Sequence, residues 1–201
     1  MTLPIIGLIG GIGAGKSTAG RCLAARGGCV IDCDKLGHDA LNAPDVLRQL
    51  VALWGDRVAN PDDTANRRAV AGIVFDNPVE RAALEGVVFP VIGKLADAEI
   101  VRANADPACR FVALDAAVLL EAGWGDRCDR VLYIDAPREV REQRVFARSQ
   151  WIPADLTARE AAQWPADVKK NRADVVISND GTEPELRAKI DHVLNEWHLT
   201  P

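Results

Sequence analysis

Residues 10–17 read Gly10-Gly11-Ile12-Gly13-Ala14-Gly15-Lys16-Ser17 and fit the pattern GxxxxGK[ST] at every fixed position. The pattern constrains the fold because it works only between a buried strand and a helix. Both are present. Residues 3–9 form an apolar run ending in glycine, as a buried strand does. Residues 17–26 have helical spacing and close on Gly27-Gly28. In that setting the glycines let the backbone curl with its N–H groups inward, and these groups and the helix N-terminus hold phosphate oxygens. The chain is therefore expected to bind a nucleoside triphosphate, ATP, on Gly11, Ile12, Gly13, Ala14, Gly15, Lys16 and Ser17. Lys16 would stand near the β- and γ-phosphates, and Ser17 would offer its hydroxyl to Mg²⁺.

Four further strands are predicted at residues 29–31, 111–114, 130–134 and 174–177. Helical patterns fill the intervals. Residues 35–104 read as helices broken at Pro44, at the Asn60-Pro61-Asp62-Asp63 turn, at Pro78 and at Pro90. Residues 139–148 and 156–163 read as two more helices, and 184–197 as a terminal one. This alternation predicts an α/β fold, a five-stranded parallel sheet with helices on both faces in three layers. A core is expected at about 1–37, 105–137 and 171–201. The longer helical stretches, about 38–104 and 138–170, read as packing helices or as a substrate-binding insertion and a lid.

Asp32, Asp34, Asp115 and Asp135 lie at or near predicted strand ends, where open α/β sheets bind ligands. Each also suits a turn or a helix cap. Asp115, after an apolar run, has the form of an acid on the Mg²⁺ side; Asp32 or Asp34 is then available to face an accepting hydroxyl. Arg141, Arg144 and Arg148 share one helical face, with Arg138 just before them. They form either a solvated face partnered by Glu139 and Glu142, or a closing element over a transferring phosphoryl group. Lys169 and Lys170 would add to such a field.

The net charge of -5 gives no basic excess for a phosphate backbone, so no nucleic-acid partner is expected. No apolar stretch approaches the ~20 residues of a membrane span. The first residues lack a basic n-region and run straight into the phosphate loop, so no signal peptide is expected. Five cysteines without a CxxC pair read as free thiols in a reducing cytosol, and three histidines offer no zinc spacing. No obligate protein partner is indicated.

These segments together resemble the dephospho-coenzyme A kinase family, from about residue 5 to 181. The glycine loop continues through Thr18. Val30-Ile31-Asp32-Cys33-Asp34 is followed by His38, and the run from Arg67-Arg68 ends in Val74-Phe75. Leu119-Leu120-Glu121, Gln163-Trp164-Pro165 with Lys169 and Ala173-Asp174, and Asn179-Asp180-Gly181 come in the family's order and spacing. Asn66 stands where the family usually has Asp, and Phe89-Pro90 replaces His-Pro. Asn66-Arg67 and residues 115–124 are similar to the kinase half of the bifunctional animal CoA synthase. No adenylyltransferase signature accompanies them, so a stand-alone kinase is expected. The resemblance implies a three-layer P-loop kinase fold with a helical CoA-side insertion and a lid. It implies a cytoplasmic enzyme transferring the γ-phosphoryl group of ATP to the ribose 3′-hydroxyl of dephospho-CoA. Lys16, Asp34 and Arg144 would be catalytic, with Asp34 as base and Arg144 on the phosphates beside Arg148. Asp34, His38, Arg67, Lys94 and Glu121 would lie on the acceptor side, and Ser17 and Asp115 at the metal. Another P-loop nucleotide or small-molecule kinase, or a nucleotide-hydrolysing switch protein, is the alternative; no guanine-binding Asn-Lys-x-Asp occurs.

Overall fold

The computed structural model describes residues 2–199. Five strands alternate with helices: β1 (Ile5–Gly10), β2 (Gly28–Asp32), β3 (Phe111–Asp115), β4 (Arg130–Asp135) and β5 (Val175–Ser178). All pair parallel, in the order β2-β3-β1-β4-β5. The middle of the sheet is buried along its length, β3 from Phe111 to Leu114 and β4 from Val131 to Ile134. Continuous apolar runs of this kind are needed where helices cover both faces of a parallel sheet.

The chain forms two compact units. One comprises the residues up to Asp32 and those from Ile100 on; the other is Cys33–Glu99. In the first, α1 (Lys16–Ala24) and α9 (Glu183–Glu196) meet over the sheet. Leu8, Leu23, Phe111, Leu132 and Ile177 pack there with Leu186, Ile190 and Leu194. A capping box starts α9: Thr182 Oγ1 accepts from Glu185 N–H, and Glu185 Oε2 accepts from Thr182 N–H at 2.7 Å. Between α6 (Arg138–Ser149) and β5 lie α7 (Pro153–Glu160) and α8 (Ala166–Lys170).

The second unit holds α2 (Cys33–Leu41), α3 (Pro44–Trp54), α4 (Arg67–Val74) and most of α5 (Pro78–Ala105). Trp54 Nε1 donates to Glu80 Oε2 at 2.8 Å, tying α3 to α5. The break predicted at Pro90 does not occur. Pro90 lies inside the 28-residue α5. A proline removes one intrahelical bond, and the helix survives here with Val88 and Ile92 buried on either side of it. Asn66 caps α4, accepting from Ala69 N–H at 3.1 Å. It thereby performs the capping that an aspartate would, which accounts for the substitution.

Two of the five thiols expected to be free are paired: Cys29 and Cys109 form a disulfide. The β2–β3 register sets Cys29 opposite Val112, and Arg110 N–H donates to Gly27 O, so Cys109 is turned back beside β2. Sequence spacing does not reveal this register. Burial, and then the Asp129 charge, push the Cys128 thiol up to about 12; it stays protonated at neutral pH.

Arg26 on the α1 side grips Asp191 of α9 with two bonds, 2.6 and 2.5 Å. The guanidinium's hydrogen bond and charge hold the Asp191 carboxyl below its usual range. A depressed folded-state pKa contributes stability above the unfolded pKa, and this is lost as pH falls through the folded value. Asp191→Asn is therefore expected to lower stability by about 0.5–1 kcal/mol at pH 7, discounted for exposure. The difference should vanish well below pH 4; thermal melts at both pH values check it.

Candidate functional site

The phosphate loop is shaped by three close approaches. A Cβ on Gly10 would meet Ile134 O at 2.6 Å, so β1 can leave the sheet only with glycine there. Gly15 has φ +98°, and a Cβ on it would lie 2.1 Å from Asn179 Nδ2. Ala14 N–H closes the turn on Gly11 O at 3.0 Å. Gly15 caps α1 without a side chain, and no acid stands in the first turn. The leading N–H groups of α1 are thus left for an anion. Gly15→Ala is expected to weaken ATP binding about tenfold or more and to lower the melting temperature as well, because the positive φ and the clash with Asn179 strain the folded loop; titration calorimetry measures the first and thermal melts the second.

Lys16 reaches across to Asp115 Oδ1, forming an ion pair at the carboxyl end of β3. Asp115 is in register with Leu8 of β1 and Asp32 of β2, so two carboxylates end neighbouring strands beside the loop. Ser17 is exposed on the first turn of α1. The donors here are all hard oxygens, which suit Mg²⁺. Among the described residues no cluster of three His, Cys, Asp or Glu side chains offers a protein-only metal cage. Mg²⁺ usually keeps waters and phosphate oxygens in its shell, so a hydroxyl and a carboxylate are a fitting protein share.

The arginine face of α6 turns toward the loop. Arg141 donates to Ile12 O at 3.3 Å and Ala136 O at 3.1 Å, and it pairs with Glu160. Arg144 donates to Ala14 O at 3.3 Å. Arg138 is spent on Glu142, Thr157 and Glu160, and Arg148 is exposed further along the helix. So the helix is neither wholly solvated nor wholly aimed at the loop; its middle two arginines reach the loop's carbonyls. Lys169 and Lys170 do not join this field. Lys170 pairs with Asp135 at 2.6 Å, and Lys169 with Glu121 at 2.6 Å. Arg159 stacks on Trp151 and Arg172 on Trp164, at 4.0 and 5.0 Å from the ring centroids, so both tryptophans serve as packing surfaces.

Two residues that the sequence names, but does not place at the loop carbonyls, shape the loop. Asn179, buried, donates to Ala14 O at 2.7 Å and fills the space a Gly15 side chain would need. Arg141 clamps Ile12. The spacing of Arg141 from Arg144 was visible, but the carbonyl it would meet was not. Tyr133 is buried in β4, and burial followed by the Asp135 charge pushes its hydroxyl up to about 12, so it does not act as a base near neutrality.

Among the acceptor-side candidates, His38 of α2 and Arg67 at the start of α4 meet, Nε2 to Nη2 at 2.7 Å. Asp34 sits one turn before His38, exposed on the first turn of α2, so the two share a helical face. Lys94 is exposed on α5. Glu121 accepts from Trp164 N–H at 2.9 Å as well as from Lys169.

The sequence profile of the dephospho-CoA kinase family matches residues 4–185. The chain is 37% identical over 192 residues to the dephospho-CoA kinase of Geobacter sulfurreducens, covering 94% of this chain and 96% of that one. It is similar to the crystal structure of TT1252 from Thermus thermophilus, with 35% identity, a TM-score of 0.81 and 98% of each chain covered. The dephospho-CoA kinase of Campylobacter jejuni shares the fold at a TM-score of 0.64 and 19% identity, covering 100% of this chain and 99% of that one.

Proposed function

The chain belongs to the dephospho-CoA kinase family and is an ATP-dependent kinase, and we propose how its residues move the γ-phosphoryl group of ATP to the ribose 3′-hydroxyl of dephospho-CoA. This is the last step of coenzyme A biosynthesis. The observation that carries the reading is the union of an intact phosphate loop with a profile match across nearly the whole chain.

The loop N–H groups of residues 11–18 hold the triphosphate, and Lys16 neutralises the phosphates nearest the transfer. Ser17 and Asp115 would hold Mg²⁺, which when bound would offset charge on the phosphate oxygens. Arg144, with Arg148 beside it, closes over the phosphates from a lid at 138–170. Asp34 accepts or orients the 3′-hydroxyl. His38, Arg67 and Lys94 of the helical insertion at 38–104 bind the anionic acceptor. Phosphoryl transfer has a loose transition state, so placing the hydroxyl in line matters more than early removal of its proton. No described helix is long and apolar enough to cross a membrane, and a cytoplasmic location suits a pathway enzyme of this kind.

Incubation with Mg-ATP and dephospho-CoA should yield ADP and CoA, while adenosine, AMP and shikimate should be poor acceptors. Absence of CoA would defeat the reading, and ADP formed without any acceptor would favour a hydrolase. Chelation of Mg²⁺ is expected to reduce transfer to background, and added Mg²⁺ to restore it.

A further inference from the structure

Only two polar or charged side chains are buried among the described residues, and one is Lys169, 2% exposed. Its ammonium is held by one ion pair and two hydrogen bonds. They go to Glu121 Oε1 at 2.6 Å, Ala117 O at 2.7 Å and Gln163 Oε1 at 3.2 Å. Glu121 Oε1 also accepts from Trp164 N–H. The pair therefore joins two stretches far apart in sequence, 117–121 and 163–169.

A buried ion pair is a poor device for stability alone, because desolvation of both charges offsets their attraction. This one is worse than usual in that respect: Glu121 Oε2 is buried without a hydrogen-bond partner. A pair of this kind is better explained by what it holds in place than by folding energy. The location suggests what that is. Ala117 is two residues beyond Asp115, the acid that pairs with Lys16. On the other side, Gln163, Trp164 and Lys169 line a cavity of about 180 Å³ together with Gly10, Gly11 and Tyr133. The pair thus connects the segment leading out of β3 to a cavity that the phosphate loop also lines.

We propose that Lys169 and Glu121 are positioning residues: they brace residues 116–121, and through them Asp115 opposite Lys16, against the 163–170 stretch. They act through Asp115 and the cavity wall and need not touch either substrate. This replaces acceptor binding as the role of Glu121 and rests on the kinase reading above. Held groups of this kind matter because a catalytic constellation tolerates little displacement.

The test uses Glu121→Gln, Lys169→Met and the double variant, assayed per folded molecule well below their melting temperatures. Glu121→Gln keeps the side-chain volume and an acceptor for Trp164 N–H. We expect kcat to fall about 10- to 100-fold, while the KM and Kd for ATP change less than about threefold. The double variant should fall no further than the worse single one, as members of one unit do. Glu121→Asp, which keeps the charge, should retain more activity than Glu121→Gln. A purely structural pair would lower the melting temperature and leave kcat per folded molecule within twofold, and that result overturns the proposal. If Lys169→Met does not fold, Glu121→Gln decides alone. Amide exchange of residues 116–122, measured without substrate, should quicken in the variants; unchanged exchange also overturns it. That arm separates the proposal from the activity: a wild-type chain that makes no CoA defeats the kinase reading, while exchange still tests the brace.

Discussion

Arg144→Ala is expected to lower kcat by about 10²–10³, the usual loss when a charged group aimed at a transition state is removed. The argument starts from what Arg144 does in the structure. Its guanidinium is partly exposed and gives one N–H to Ala14 O at 3.3 Å. Asn179 donates to the same carbonyl at 2.7 Å. Truncation therefore leaves the loop carbonyl bonded, and the melting temperature should move little. Arg141 is placed differently. It is committed to Ile12 O, Ala136 O and Glu160, so it shapes the loop and has less freedom to follow a phosphate. Steady-state kinetics with melts on the same samples check the prediction. Unchanged turnover would remove Arg144 from the phosphates.

Asp34→Asn should cost about 10² in turnover, the lower end for losing a group that accepts a proton from the reacting hydroxyl, with the Kd for ATP unchanged. Asp34 is exposed on the first turn of α2, where Asn is also well tolerated, so the fold should persist. Its helix face is shared with His38, which meets Arg67. A loss in kcat with intact ATP binding is the signature of a group serving the acceptor alone. Normal turnover would remove Asp34 as base or orienter, and weakened ATP binding would move it to the donor side.

Much of this was legible because the signals were local. The strand, the glycine loop and the helix after it lie within the first 24 residues and are read from spacing and apolar runs. The same holds for β3 and β4, whose continuous apolar runs are buried throughout. Pro90 misled because a proline's local cost does not reveal the packing that holds α5 together around it. The cysteines misled because pairing depends on register. Cys29 and Cys109 are 80 residues apart in sequence and adjacent only once β2 lies beside β3.

The phosphate loop, the five strands and the arginine-bearing helix were determined by the sequence alone, since each rests on neighbours within a few turns or a single pleated run. Which charges meet was decided only by the tertiary structure. Lys16 finds Asp115, Arg141 and Arg144 find the carbonyls of Ile12 and Ala14, and Lys169 finds Glu121 rather than the arginine field. Charges are long-ranged and indifferent to sequence separation, so their partners are chosen by the crossovers that set one strand end beside another. The cation nearest in space, rather than in sequence, then pairs with Asp115 and with Glu121.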